Sequence, residues 1–388
     1  MTRHAASYLA LVSAALAACS GRGGATPSAG AAAGSDGASG GGDGQVTETS
    51  GQGGSSGGAG IGASGTAGTS LGSGGAGAGA GGSSGTAGAL SGTPREEVLP
   101  ELTGVRQEHS VVALAGEIYI VGGYSPISTA VATVEAYNPS TRTWRGVQDF
   151  PQVLNHANAA VVGNKLYVLG FYIGSSQSNT SGQVYAYDAS ADEWTERTGM
   201  PEGTERASGC VAALGEKIYV FGGARGATVS DASVYDTLAD SWQTLPALPE
   251  PREHCAAGAI AGVVYIAAGR ADAITGFGTW TFAFDPVANT YAQKAQIPTL
   301  RGGVAGAVLA DRLFVFGGEG NSAAGTNGVF GEVEAYDPAS NSWQNFTPLQ
   351  IPRHGYGAAT LDGRIYLPGG ANRQGGGAVN DASVYYFE

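Results

Sequence analysis

Residues 117–144 read E-I-Y-I-V-G-G-Y-S-P-I-S-T-A-V-A-T-V-E-A-Y-N-P-S-T-R-T-W, and variants of this stretch recur through the second part of the chain. An aromatic pair seven residues apart keeps the beat: Tyr137 and Trp144, Tyr187 and Trp194, Tyr235 and Trp242, Phe284 and Tyr291, Tyr336 and Trp343. A glycine doublet ending an apolar run keeps it too, at Gly122-Gly123, Gly222-Gly223, Gly317-Gly318 and Gly369-Gly370, with degenerate versions at Gly170-Phe171 and Ala268-Gly269. The second residues of these doublets stand at 123, 171, 223, 269, 318 and 370, so there are six copies spaced 46 to 52 residues apart. Fixed-period self-similarity of this kind marks a repeat architecture.

Two more positions share the register. An aromatic lies four residues before each marker (Tyr119, Tyr167, Tyr219, Tyr265, Phe314, Tyr366), and an arginine seventeen before in five copies (Arg106, Arg206, Arg252, Arg301, Arg353), with Leu154 the exception. Each copy reads as four short strands, in the first copy a (110–115), b (117–121), c (133–137) and d (143–147). Turn residues separate them, Ala115-Gly116 between a and b and Asn138-Pro139-Ser140 between c and d. A lone four-stranded sheet cannot bury both its faces, whereas six arranged radially can, each against the next. The expectation is an all-β, six-bladed propeller.

The arginine before strand a, I-Y-V-x-G-G at the end of b, V-x-x-Y-D-P in c and tryptophan in d resemble the kelch repeat over residues 94–388. The resemblance implies the propeller fold. It leaves function open, because kelch propellers include both enzymes and adaptors.

The sixth copy has no strand d after its strand c, but residues 98–102 (V-L-P-E-L) look like 244–248 (T-L-P-A-L), which end the third copy's strand d. Residues near 95–102 are therefore expected to supply the outer strand of the last blade, with Glu96 at the tryptophan position, hiding an edge.

Residues 1–18 read as a secretory signal: Arg3 and His4, then a short apolar core too brief to span a bilayer. Leu16-Ala17-Ala18-Cys19 resembles a bacterial lipobox, which implies lipidation of Cys19 and residence in the cell envelope or outer membrane; Ala15-Leu16-Ala17 also fits an ordinary cleavage site. Residues 19–93 are Gly, Ala, Ser and Thr with hardly a large apolar side chain, the composition of a disordered tether. Some 75 residues of such chain span roughly 50 Å.

The chain carries 19 basic and 32 acidic residues, a net charge of −13, which disfavours nucleic acid. Membrane contact is expected only through Cys19, and the protein is expected to be a monomer without cofactor. Cys210 and Cys255 occupy nearly one register in strand a of adjacent blades; a disulfide and two buried thiols both fit.

Loop lengths locate the binding face. Spacings within each copy are nearly constant, except from the marker to the strand-c aromatic, which spans 14, 16, 12, 15, 18 and 15 residues. Variation thus collects in the b–c loops, which emerge with the d–a loops on one face, and variable loops on a rigid scaffold are where binding usually resides. The candidate rim comprises Arg106, Glu108, His109, His156, Arg206, Ser208, Arg252, His254, Arg301, Arg353 and His354 beside strand a. The b–c loops add Tyr124, Tyr172, Arg225, Arg270, Asp272, Glu319, Asn321, Asn372 and Arg373. Polar rims with aromatics suit carbohydrate or a peptide loop. Kelch resemblance implies a structural role for the arginines, bonding loop carbonyls between blades. No metal site is expected, because the histidine registers differ and no acidic triad accompanies them. The shared string D-A-S-V-Y at 231–235 and 381–385 is expected to cap the turn before strand c through its aspartate.

No G-x-S-x-G, H-E-x-x-H or phosphate loop occurs in the repeats. The leading expectation is a tethered binding module for protein or carbohydrate. The alternative is an exported carbohydrate-active enzyme similar to sialic acid mutarotases, using Glu108, His156, His254 and Arg252. Copper-radical oxidases also carry kelch-like repeats, but they use seven blades and a Cys–Tyr cofactor that this chain does not match.

Overall fold

The computed structural model describes residues 90–126 and 128–388. The expected signal segment, Cys19 and nearly all of the expected tether lie outside the described residues. Among the described residues there is no helix, and every main sheet is antiparallel.

Six blades form. The first has strands Ser110–Leu114, Glu117–Val121, Val134–Asn138 and Thr143–Gly146, each within a residue or so of its sequence reading. Inner strands Ser110–Leu114, Ala159–Val162, Cys210–Leu214, Ala256–Ile260, Ala305–Leu309 and Ala359–Leu361 each touch the next, and the last touches the first. The ring is closed by Pro94–Leu99, which pairs with Ala382–Phe387 as the outer strand of blade 6.

The seven-residue aromatic spacing has a double cause. The two residues face each other across the c–d ladder, with Tyr137 and Trp144 ring centroids 4.9 Å apart and Tyr187 and Trp194 5.0 Å apart. The tryptophan Nε1–H then donates to a carbonyl of the preceding blade: Trp194 to Gln148 (3.1 Å), Trp242 to Thr198 (3.0 Å), Trp343 to Ala295 (3.2 Å). In blade 4 the Tyr291 hydroxyl does the same to Pro246 (2.8 Å).

Marker glycines take the left-handed backbone that lets chains approach closely. Gly223, at φ +103°, would put a Cβ 2.5 Å from the Ala207 carbonyl oxygen. Blade 2 departs here. Phe171 stands at the marker and the ladder bulges between Leu169 and Phe171. Strands b and c run on as Lys165–Ile173 and Thr180–Asp188, a hairpin that the sequence reading takes for loop.

Cys210 and Cys255 form a disulfide, Cα atoms 5.2 Å apart, which settles the alternative left open by their register.

Candidate functional site

The five register arginines are buried, not on the rim. The guanidinia mostly bind within their own blades, and the expected bonding to loop carbonyls between blades is made only at Arg206, to Thr204 O (2.9 Å), and Arg301, to Thr299 O (2.8 Å), in the d–a connections. Arg106 reaches Thr133 O (3.0 Å) and Glu135 (2.8 Å); Arg206 reaches Val220 O (2.9 Å) and Ser233 (2.8 Å); Arg353 reaches Gly369 O (2.9 Å) and Ser383 (3.0 Å). Arg301 pairs with Glu334, and Arg252 donates to Trp280 O (2.9 Å) and lies over the Phe282 ring. The partner is thus the residue two before the strand-c aromatic in every blade that has the arginine. Blade 2 has Leu154 and Tyr185 at these two positions instead, gathered with Phe150 and Phe171 in one apolar cluster. What joins blades at this point is backbone: Gly223 N–H donates to Arg252 O (2.7 Å), Gly318 to Arg353 O (2.8 Å) and Gly123 to Leu154 O (2.9 Å). An arginine side chain is unnecessary for that bond.

His109 also leaves the rim. Its Nε2 lies 3.0 Å from Pro368 O between blades 6 and 1, and burial keeps it neutral, with its pKa pushed down to about 3. Asp231 takes the Arg225 guanidinium (2.5 Å) rather than the backbone N–H groups expected of a turn cap. Arg225 is half-buried, and Asp272 and Arg373 are exposed on the b–c loops.

The remaining candidates converge on the axis. Two residues after the arginine register, Glu108, His156, Ser208, His254, Gly303 and Gly355 all have φ between +51° and +65°. Their backbones close a ring: each N–H donates to the carbonyl of the preceding member, from Glu108 to Gly355 O (2.5 Å) round to Gly355 to Gly303 O (2.9 Å). The central cavity there is about 50 Å³.

Glu108 is the hub. Its carboxylate lies 3.3 Å from His156 Nε2, 3.6 Å from His254 Nε2 and 3.9 Å from His354 Nε2. A second ring surrounds it, one residue after the arginine register and one after the marker. Glu253 accepts from Arg270 Nε (3.2 Å), which also pairs with Glu319, and Glu319 lies 3.4 Å from His354 Nε2. The rings of Tyr124 and Tyr172 flank His156 at centroid distances of 5.8 and 5.6 Å. Burial alone would raise the Glu108 pKa; His156, His254 and His354 reverse that and hold it well below the usual carboxylate range. Burial lowers His156 to about 4. Burial and Arg270 also push on His254, but Glu253 and Glu108 outweigh them and hold it at about 9. The sequence reading missed Asn155 and Glu253; the same register count taken one residue earlier finds both. It also expected no metal site, yet Glu108, His156 and His254 share one register and bring one ligand atom each within 4.8 Å of the others.

The b–c loops are stitched to one another. Tyr124 OH donates to Ser175 O (3.3 Å), Thr228 N–H to Asp272 (2.8 Å), Gln374 N–H to Asn327 O (2.9 Å) and Gly375 N–H to Glu319 (2.9 Å). A groove of about 460 Å³ opens on the same face beside Asn321, Asn327, Glu332 and Asn372.

These features define a six-bladed propeller with a charged axial cluster inside a braced rim. Residues 96–269 match the KLHDC2/KLHL20/DRC7 Kelch-repeats domain and residues 300–350 match the Kelch motif. The chain is 36% identical over 292 residues to Kelch-like protein terF of Aspergillus terreus, covering 70% of this chain and 63% of that protein. It is 31% identical over 252 residues to human Kelch-like protein 34 (61% and 38%), and 22% identical over 286 residues to Beta-scruin of Limulus polyphemus (72% and 26%). The chain thus spans less than two thirds of the length of each. It is a kelch-repeat protein, of a fold that typically serves as a protein-binding module.

Proposed function

We propose that this chain is an exported, envelope-tethered binding module that holds a protein segment across its b–c/d–a face. The observation that carries this is the contrast in size between the axis and the rim. The axial cavity, about 50 Å³, admits an ion or a water or two, far below the several hundred Å³ that a small-molecule site needs. Around it the loops form a braced ring, and rigid platforms lose little entropy on binding. Arg252, which a mutarotase-like reaction would need for a substrate carboxylate, is fully enclosed against Trp280 and Phe282, and this weighs against the enzymatic reading. Export through the signal segment and anchoring at Cys19 fit the Cys210–Cys255 disulfide, since such bonds persist in oxidising compartments.

The test is capture of partners from the exported proteome by immobilised protein, comparing a variant trimmed at residues 321–327 with one altered on the opposite face (Leu238→Ser, Val287→Ser). Loss of a defined partner only with the loop variant supports the reading, and equal capture by both overturns it. The amide-lined groove beside Asn321, Asn327 and Asn372 favours a second reading, a carbohydrate ligand, which a glycan array on the same two variants would reveal. Anchoring is tested by fatty-acid labelling, which Cys19→Ser should abolish.

A further inference from the structure

We propose that Glu108, His156 and His254 form a site for one divalent transition-metal ion at the mouth of the central channel. Two imidazoles and a carboxylate suit zinc, iron, cobalt, nickel or copper; calcium and magnesium prefer all-oxygen sets. Three protein ligands leave at least one position open for water or an incoming donor.

The spacing is close to what an ion requires. Ligand atoms about 2.0 Å from a tetrahedral ion stand about 3.3 Å from one another. Glu108 Oε2 lies 3.3 Å from His156 Nε2 and 3.6 Å from His254 Nε2, so two of the three edges are already near that length. The outer partners point the right nitrogens inward. Asn155 Nδ2 donates to Gly174 O (2.7 Å), which turns its Oδ1 towards His156 Nδ1 (2.6 Å). Nδ1 of His156 therefore carries the proton and Nε2 the free lone pair. Glu253 Oε1 lies 3.4 Å from His254 Nδ1 and is held by Arg270, a carboxylate–histidine arrangement typical behind metal ligands. Exposed Gln177, 3.3 Å from His156 Nε2, would give way to the ion.

Independent observations point to a missing occupant. The side chain of His254 is 8% exposed, and its Nε2, 3.6 Å from Glu108, makes no hydrogen bond. Buried polar atoms left so are rare and call for an explanation. The carboxylates of Glu108, Glu253 and Glu319 face one guanidinium, that of Arg270, so the carboxylates outnumber the fixed cation among them and a dication offsets that excess. The cavity of about 50 Å³ is of a size for an ion and its water.

The test uses the tag-free full chain, stripped with chelator and titrated with Zn²⁺ alone by calorimetry, and with Co²⁺ alone by visible absorption. One ion per chain and a ligand-field band are expected. Glu108→Gln and His254→Gln should each weaken binding at least about 100-fold and remove the band, while Asn155→Leu, which touches no ion, should weaken it about tenfold. Leu238→Ser, exposed on the opposite face, should bind as the wild type does. Metal-free melting curves establish that each variant folds, and if a ligand variant does not, Asn155→Leu carries the decision. Absence of stoichiometric uptake by the wild type, or unchanged affinity in the folded variants, overturns the proposal and leaves an ion-pair network only.

Discussion

Glu96 stands opposite Tyr385 in the ladder that joins the first strand of the propeller to the last, the position that Trp144 takes opposite Tyr137. The substitution reverses a bond. Tryptophan elsewhere donates to a carbonyl of the preceding blade, whereas the Glu96 carboxylate accepts from Gln350 N–H (2.7 Å) and the Glu96 carbonyl accepts from Gln350 Nε2 (3.1 Å). The same seam to blade 5 is thus held with opposite polarity. Deleting residues 90–99 exposes the edge of Ala382–Phe387 and frees Leu99 from the core, so the melting temperature should fall sharply and aggregation should rise. Glu96→Ala should cost only about 1 kcal/mol, because one charge-assisted bond at a half-open seam is lost. A deletion that melts like the wild type would refute this form of closure.

The Arg301–Glu334 pair is fully buried, and blade 2 shows what replaces such a pair, since Leu154 and Tyr185 fill the equivalent positions with apolar surface. Arg301→Leu or Glu334→Tyr alone leaves a buried charge without its partner and should cost about 3–5 kcal/mol in urea unfolding. The double variant should recover a large part of that loss. If the two single costs simply add, the pair is not acting as a unit.

Most of the strand positions were legible because each rests on a local signal repeated six times. The aromatic pair, the glycine marker and the arginine each recur, so a degenerate copy is read by its neighbours. Blade 2 escaped because Phe171 cannot readily adopt the left-handed turn a glycine marker makes; the strand runs on instead, and no local pattern announces a longer hairpin. The arginines misled for another reason. Charge suggests exposure, and only the alternating partners at the strand-c position (Glu135, Ser233, Glu334, Ser383) disclose that they are enclosed. The axial cluster was half read: Glu108, His156 and His254 share a register visible in the sequence, but Glu253 and Asn155 orient them from one residue earlier, where no repeated residue type draws the eye.

The Cys210–Cys255 disulfide closes 45 residues of sequence, and Cys255 follows His254 in the chain. Loop-closure entropy for that length corresponds to about 4 kcal/mol as an upper figure. Cys210→Ala with Cys255→Ala should therefore lower the urea midpoint, and dithiothreitol should lower it for the wild type but leave the double variant unchanged. Equal responses to reductant in both proteins would show that the bond does not contribute.

Ser208 lies in the closed backbone ring at φ +56°, with a buried hydroxyl that has no hydrogen-bond partner. Blades 5 and 6 place Gly303 and Gly355 at the same point, so the ring itself needs no side chain there. A non-glycine residue in this region costs about 1–2 kcal/mol, partly offset by the greater freedom glycine has in the unfolded chain. Ser208→Gly should consequently raise stability by about 0.5–1 kcal/mol, measured by urea unfolding, without altering Zn²⁺ uptake. The reverse exchange, Gly355→Ser, should destabilise, since a Cβ there would lie 2.4 Å from the Glu108 carboxylate. His156→Gly and His254→Gly should relieve the same backbone strain while removing the ion-binding nitrogens. Gains at Ser208 with losses of binding at His156 and His254 would mean that strain is kept at those histidines for what their side chains do; a destabilised Ser208→Gly would mean that the ring depends on the serine after all.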